Sequence, residues 1–177
     1  MPLDHQSNEQ LAEIVQEAFA SSKYPGDDRL VYDNSGAHLE CNQVADAFRG
    51  RHWSDLPMSF LRSNADSIFF FTPEAYRFYL PAYLLAAIRS FREADIIPDN
   101  IVHSLTLPAT ERPGRQRFEA RVQEFNEQQR LAIKKFLKFL SSEHARDFPL
   151  GDPQIALDKY WAQFTSGKSA ESSEKER

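Results

Sequence analysis

Apolar residues recur three and four positions apart along most of the chain, a spacing that predicts helices. Leu11, Ile14, Val15, Ala18 and Phe19 mark one face of a first helix, opened by a Ser7 and Gln10 capping box and closed before Pro25 and Gly26. Turn formers dominate 27–39, with Leu30, Val31 and Tyr32 as one short extended piece. Val44, Ala47 and Phe48 predict a second helix over 40–48, stopped by Gly50, and a brief third helix follows over 58–63. The apolar run 67–71 is too short to assign to strand or helix, but its composition buries it either way.

The stretch 67–91 is the most apolar in the chain. Thr72 is suited to an N-cap, Pro73 to the first helical position and Glu74 to the positive end of the helix dipole, so a helix is expected to start at Pro73. Leu80, Leu84, Ile88 and Phe91 form one stripe, with Tyr76, Tyr79 and Tyr83 beside it. Pro81 lacks an N–H and crowds the carbonyl of Arg77, which predicts a kink or break near Leu80; the three tyrosines beside it are either core aromatics whose hydroxyls reach backbone partners, the reading preferred here, or the lining of a notch. Further on, 98–107 reads as a short helix and 112–117 as a Pro-Gly connector. Phe118, Val122 and Phe125 share a face, and Asn126 with Gln129 caps a long helix running to about 144 through Ile133, Phe136, Leu137 and Leu140. Asp152 and Pro153 open a last helix carrying Ile155, Ala156, Leu157, Tyr160, Trp161 and Phe164. The expected fold is all-α or nearly so: one compact multi-helix domain over 1–165 around a central helix broken at Pro81, with a disordered polar tail over 166–177.

Composition narrows the function classes. With 177 residues, 41% hydrophobic and 27% charged, the chain has enough apolar content for one real core. Its formal charge of -5 gives no general attraction to nucleic acid or to anionic membranes. The uncharged part of the central helix falls far short of the roughly 20 residues that span a bilayer. Cys41 is the single cysteine, so no intrachain disulfide forms, and the N-terminal residues lack a basic-then-apolar leader pattern. A reducing cytoplasm is the expected location.

No residue pattern specifies catalysis. His38, Cys41 and His52 are zinc-ligand types, but the paired spacing of a four-ligand site is missing, and no metal is expected. Glu40, Cys41 and His52 make a weak alternative cluster for a small hydrolase-like enzyme, with Cys41 as nucleophile and a histidine as base. None of the 6 glycines forms a phosphate-cradling loop, so no nucleotide cofactor is expected. Between 112 and 138, Arg112, Arg115, Arg117, Arg121, Arg130, Lys134, Lys135 and Lys138 outnumber the acids, and Arg130, Lys134 and Lys138 align at i, i+4, i+8 on one helix. That stripe, with Tyr76, Tyr79 and Tyr83, is the candidate surface for a protein partner; nucleic-acid binding through the stripe is the weaker alternative.

One resemblance adds to this reading. The Pro25-Gly26-Asp27 turn, Glu40-Cys41 with Val44 and Phe48, Gly50 then Trp53, and Phe71-Thr72-Pro73-Glu74-Ala75 leading into Tyr79-Leu80-Pro81-Ala82 resemble a bacterial family of unknown function over 11–140. Phe125-Asn126, Gln129, Ile133, Phe136 and Leu137 fit it too. The resemblance implies a small bacterial cytoplasmic protein and carries no activity or catalytic residue. The expected function is therefore a non-catalytic interaction protein of immunity-like type, one that binds and neutralises a toxin or effector.

Overall fold

A computed structural model describes residues 3–109 and 114–166. Within them the chain is all-α: α1 (Leu3–Phe19), α2 (Leu39–Phe48), α3 (Met58–Ser63), α4 (Pro73–Arg89), α5 (Ile97–Leu105), α6 (Gly114–Gln123), α7 (Glu127–Glu143) and α8 (Asp152–Lys159), with 3₁₀ turns at Asp27–Arg29, Trp53–Asp55, Ala65–Phe69 and Trp161–Gln163. The tail expected to be disordered lies, from 167 on, outside the described residues. No described helix is long and apolar enough to cross a membrane.

Helix α4 is the axis of the molecule, packed against α1, α3, α5 and α6, while α7 packs against α1 and α8. Its start is set locally: Thr72 Oγ1 accepts from the Ala75 N–H at 3.1 Å, and Pro73 occupies the first turn. The expected break at Pro81 does not occur, and one helix runs unbroken from Pro73 to Arg89. An interior proline costs about 3 kcal/mol. From Phe78 to Ile88 every residue is buried. Each large apolar side chain there contributes about 1.5–3 kcal/mol by leaving water, so their sum outweighs the proline.

Of the two readings of the tyrosines beside Pro81, the structure has the core one. Tyr76, Tyr79 and Tyr83 are all buried, and each hydroxyl is satisfied. Ser104 Oγ donates to the Ile101 carbonyl at 2.8 Å, so it accepts from the Tyr76 hydroxyl at 2.7 Å. Tyr79 donates toward the carbonyls of Phe48 at 3.0 Å and Arg51 at 2.8 Å, and Tyr83 donates to that of Asn64 at 2.7 Å. Burial pushes all three phenols above their ordinary range, so they remain neutral donors at physiological pH.

Three further expectations change. Helix α1 begins at Leu3, so Ser7 and Gln10 sit inside the helix and do not cap it. The connector expected at 112–117 is helical from Gly114 onward, where an Arg115–Glu119 ion pair at 2.9 Å supports the first turns of α6; 110–113 lie outside the described residues. Helix α8 ends at Lys159, so Tyr160, Trp161 and Phe164, expected on it, lie beyond it, with Trp161 in a separate 3₁₀ turn. Other local signals hold: Gly50 takes a left-handed φ of 68° just after α2, and Asn126 with Gln129 forms the capping box of α7 at 2.9 and 3.1 Å.

One long-range backbone link positions the site. The piece at Leu30–Tyr32 pairs antiparallel with the end of the apolar run through a Val31 and Phe71 bridge. Tyr32 N–H donates to the Phe70 carbonyl at 3.1 Å and Thr72 N–H to the Leu30 carbonyl at 3.0 Å. Tyr32 is thereby fixed beside the start of α4, opposite α6.

Candidate functional site

Helix α6 buries Phe118 and Val122 and carries Arg117 and Arg121 one turn apart on an adjoining face. Arg121 is 8% exposed, an unusual burial for arginine. Its Nη2 donates to the carbonyls of Ile68 at 3.3 Å and Phe69 at 3.4 Å, which close the 3₁₀ turn Ala65–Phe69, and its guanidinium lies 4.6 Å from the Tyr76 ring centre. Arg117 is exposed and lies 4.4 Å from the ring centre of Tyr32, which stacks on Phe70.

Two cavities flank this pair. One, of about 280 Å³, is lined by Tyr32, Phe71, Pro73, Gln116, Ala120 and both arginines. The other, of about 200 Å³, has both arginines with Phe69, His103, Ser104, Thr106 and Phe118 in its wall. Among the described residues no aspartate or glutamate lines either cavity, and no described carboxylate pairs with Arg117 or Arg121. Glu74 and Glu119, the nearby acids on α4 and α6, are paired with Arg29 and Arg115. Burial pushes the Arg121 guanidinium below its ordinary range; Tyr76 opposes that shift and Arg117 adds to it. A guanidinium still stays protonated at neutral pH.

Both described hydrogen bonds of Arg121 use Nη2. Its Nε and Nη1 make none, and neither is sealed from the surrounding space. A largely buried cation thus presents free donors to two cavities that hold no counter-charge among the described residues. Such an arrangement is equipped to accept an anionic group with an apolar neighbour.

The residues singled out by the sequence fall elsewhere. Tyr76, Tyr79 and Tyr83 lie in the core, as described above. On α7, Arg130 donates to the Val122 carbonyl at 3.1 Å and lies over the Phe164 ring, and Lys134 donates to the carbonyls of Ala162 at 2.9 Å and Phe164 at 2.6 Å. Two of the three stripe members therefore fasten the chain after α8, and Lys138 stands exposed.

Glu40, Cys41 and His52 are not joined by any described hydrogen bond. Cys41 is 0% exposed, Glu40 Oε2 lies 3.4 Å from His38 Nδ1, and His52 Nδ1 accepts from the Ser54 N–H. His38 Nδ1 accepts from the Cys41 N–H at 3.3 Å and caps α2; its proton then sits on Nε2, which faces the Tyr32 hydroxyl at 3.3 Å. No group of three His, Cys, Asp or Glu among the described residues is placed to hold a metal ion.

Sequence reasoning placed Arg117 and Arg121 in a basic stretch but ranked the α7 row above them. The signal that distinguishes them is an i, i+4 arginine pair beside the buried positions Phe118 and Val122, which carries one arginine inward.

The chain belongs to a family of unknown function, DUF6714, whose model matches residues 7–165. No curated protein and no solved structure matches it.

Proposed function

We propose that this chain is a non-catalytic interaction protein that takes a protein partner onto the face of α6, in the manner of a small bacterial cytoplasmic protein that binds and neutralises a toxin or effector. The observation that carries this reading is Arg121, a largely buried guanidinium with free donors and no described carboxylate, next to an exposed Arg117 stacked on an exposed tyrosine. Arginine and tyrosine dominate the energetics of protein interfaces because both combine large contact area with directed hydrogen bonding. A buried charge without a counter-ion is unfavourable for the free protein, and an acidic partner removes that penalty on binding. Chemistry at Cys41 has less support, since its thiol has no access to solvent.

The experiment is quantitative capture of a stoichiometric partner from the native host at physiological salt, using the wild-type chain and Arg117→Glu. Because Arg117 is exposed, its reversal leaves the fold intact. The expected result is a single acidic partner retained by the wild type and lost by the variant. Equal retention by both would remove the reading.

A further inference from the structure

The two cavities beside α6 differ in a way that specifies what the partner presents. Tyr32, Phe71, Pro73 and Ala120 make the larger one mainly apolar, with Arg117 and Arg121 along one side. His103, Ser104 and Thr106 give the smaller one polar walls, with the same arginines on its other flank. At about 280 and 200 Å³, both are below the roughly 300–1,000 Å³ typical of a pocket for a drug-sized ligand and suit single side chains. An extended strand places side chains i and i+2 on one face, about 7 Å apart, whereas neighbours i and i+1 point to opposite faces.

The geometry points to a short extended segment of the partner bearing an acidic and an aromatic residue two positions apart, which straddles the Arg117 and Arg121 row. The aromatic ring enters the Tyr32, Phe71 and Pro73 cavity, and the carboxylate accepts from one free donor of Arg121 on the polar side. Because Nη2 is held by the Ile68 and Phe69 carbonyls and Nε and Nη1 diverge, the carboxylate takes a single charge-assisted N–H bond, which is roughly twice as strong as a neutral one. Arg117 adds charge at the rim and already stacks on Tyr32, so an incoming ring extends an existing aromatic and cationic stack. A protein segment fits better than nucleic acid. Phosphate-backbone binding draws on many cations, whereas this groove holds two in a chain of formal charge -5.

This inference rests on the α6 reading above, and its test separates the two. Fluorescence polarisation would compare labelled ten-residue Gly/Ser peptides carrying Glu-x-Phe or Phe-x-Glu with versions in which Glu becomes Gln or Phe becomes Ala, and with a ten-nucleotide oligothymidylate. Expected is saturable binding of at least one acidic-aromatic order, weakened about tenfold by either replacement, a change of about 1.4 kcal/mol. Arg117→Glu and Arg121→Met abolish it, and Lys138→Glu leaves it unchanged. Absence of binding by both orders, indifference to the Glu-to-Gln change, or tighter binding of the oligonucleotide would overturn the inference. If the peptides fail while partner capture still depends on Arg117, only the motif falls. If capture is independent of Arg117, the α6 reading falls with it.

Discussion

Two rows of basic residues with the same i, i+4 spacing, on successive helices, end in opposite situations. On α7, Arg130 and Lys134 are spent on backbone carbonyls of Val122, Ala162 and Phe164, so the row that looked available fastens the C-terminal turn to the bundle. On α6, Arg117 and Arg121 meet aromatic rings and, in the case of Arg121, two long bonds to carbonyls, with no described carboxylate. Spacing alone does not decide whether a basic row is surface for a partner or internal fastening. What decides it is whether the chain elsewhere brings acceptors to it. The bundle supplies acceptors to α7 through the turn after α8 and leaves the α6 pair largely unmatched.

The largest expected effect is on binding. Charge reversal at Arg117 should weaken partner association by about a hundredfold, since it sets a carboxylate against the partner's acidic group and like-charge juxtaposition across an interface costs several kcal/mol, with the melting temperature unchanged. Titration calorimetry with the captured partner reads this directly, and a change below threefold would break the distinction between the rows. Lys134→Met should do the reverse. Two charge-assisted bonds to carbonyls are lost, and solvent screening at this half-exposed site limits the cost to about 1–2 kcal/mol in urea unfolding, with binding retained. If Lys134→Met abolished binding and left stability untouched, the roles of the two rows would be exchanged.

Pro81→Ala tests the core that supports both rows. Relief of an interior proline is worth about 3 kcal/mol, and losing two buried ring methylenes costs about 0.8 kcal/mol each, leaving a gain of about 1 kcal/mol. A raised denaturation midpoint is expected; a loss of stability would mean that the proline ring is a packing element the surrounding helices depend on. Asn126→Ala, which removes the cap of α7, should cost about 1 kcal/mol or slightly less, because Gln129 keeps its own bond to the backbone at position 126. The smallest effect is expected from Lys138→Glu. This exposed end of the α7 row should show no measurable change in either midpoint or binding.

What was legible in the sequence was local. The caps at Thr72 and Asn126, the turn at Gly50 and the apolar faces of α1, α4 and α7 depend on residues within one or two turns, and they appear where the spacing placed them. Pro81 misled because its local cost is real but smaller than the burial gained along the whole helix. The α6 site was not legible as a site. It joins Arg121 to carbonyls of Ile68 and Phe69, 53 and 52 positions away, and faces Tyr32, which reaches it only through the bridge to Phe71. Each arginine was visible on its own. The absence of acids among the described residues of the assembled lining depends on chain segments that periodicity does not relate.

The central claim is that Arg121 is retained for binding and not for stability. Arg121→Met keeps much of the side-chain volume while removing the charge, and the exchange of a buried uncompensated ion for an apolar side chain is commonly neutral or favourable to folding. Urea unfolding and partner titration on the same preparation of this variant test the claim most directly. The account predicts a stability equal to or above that of the wild type together with loss of binding. A loss of more than about 2 kcal/mol in stability with binding affinity preserved would contradict it, and would make Arg121 a support for the Ala65–Phe69 turn.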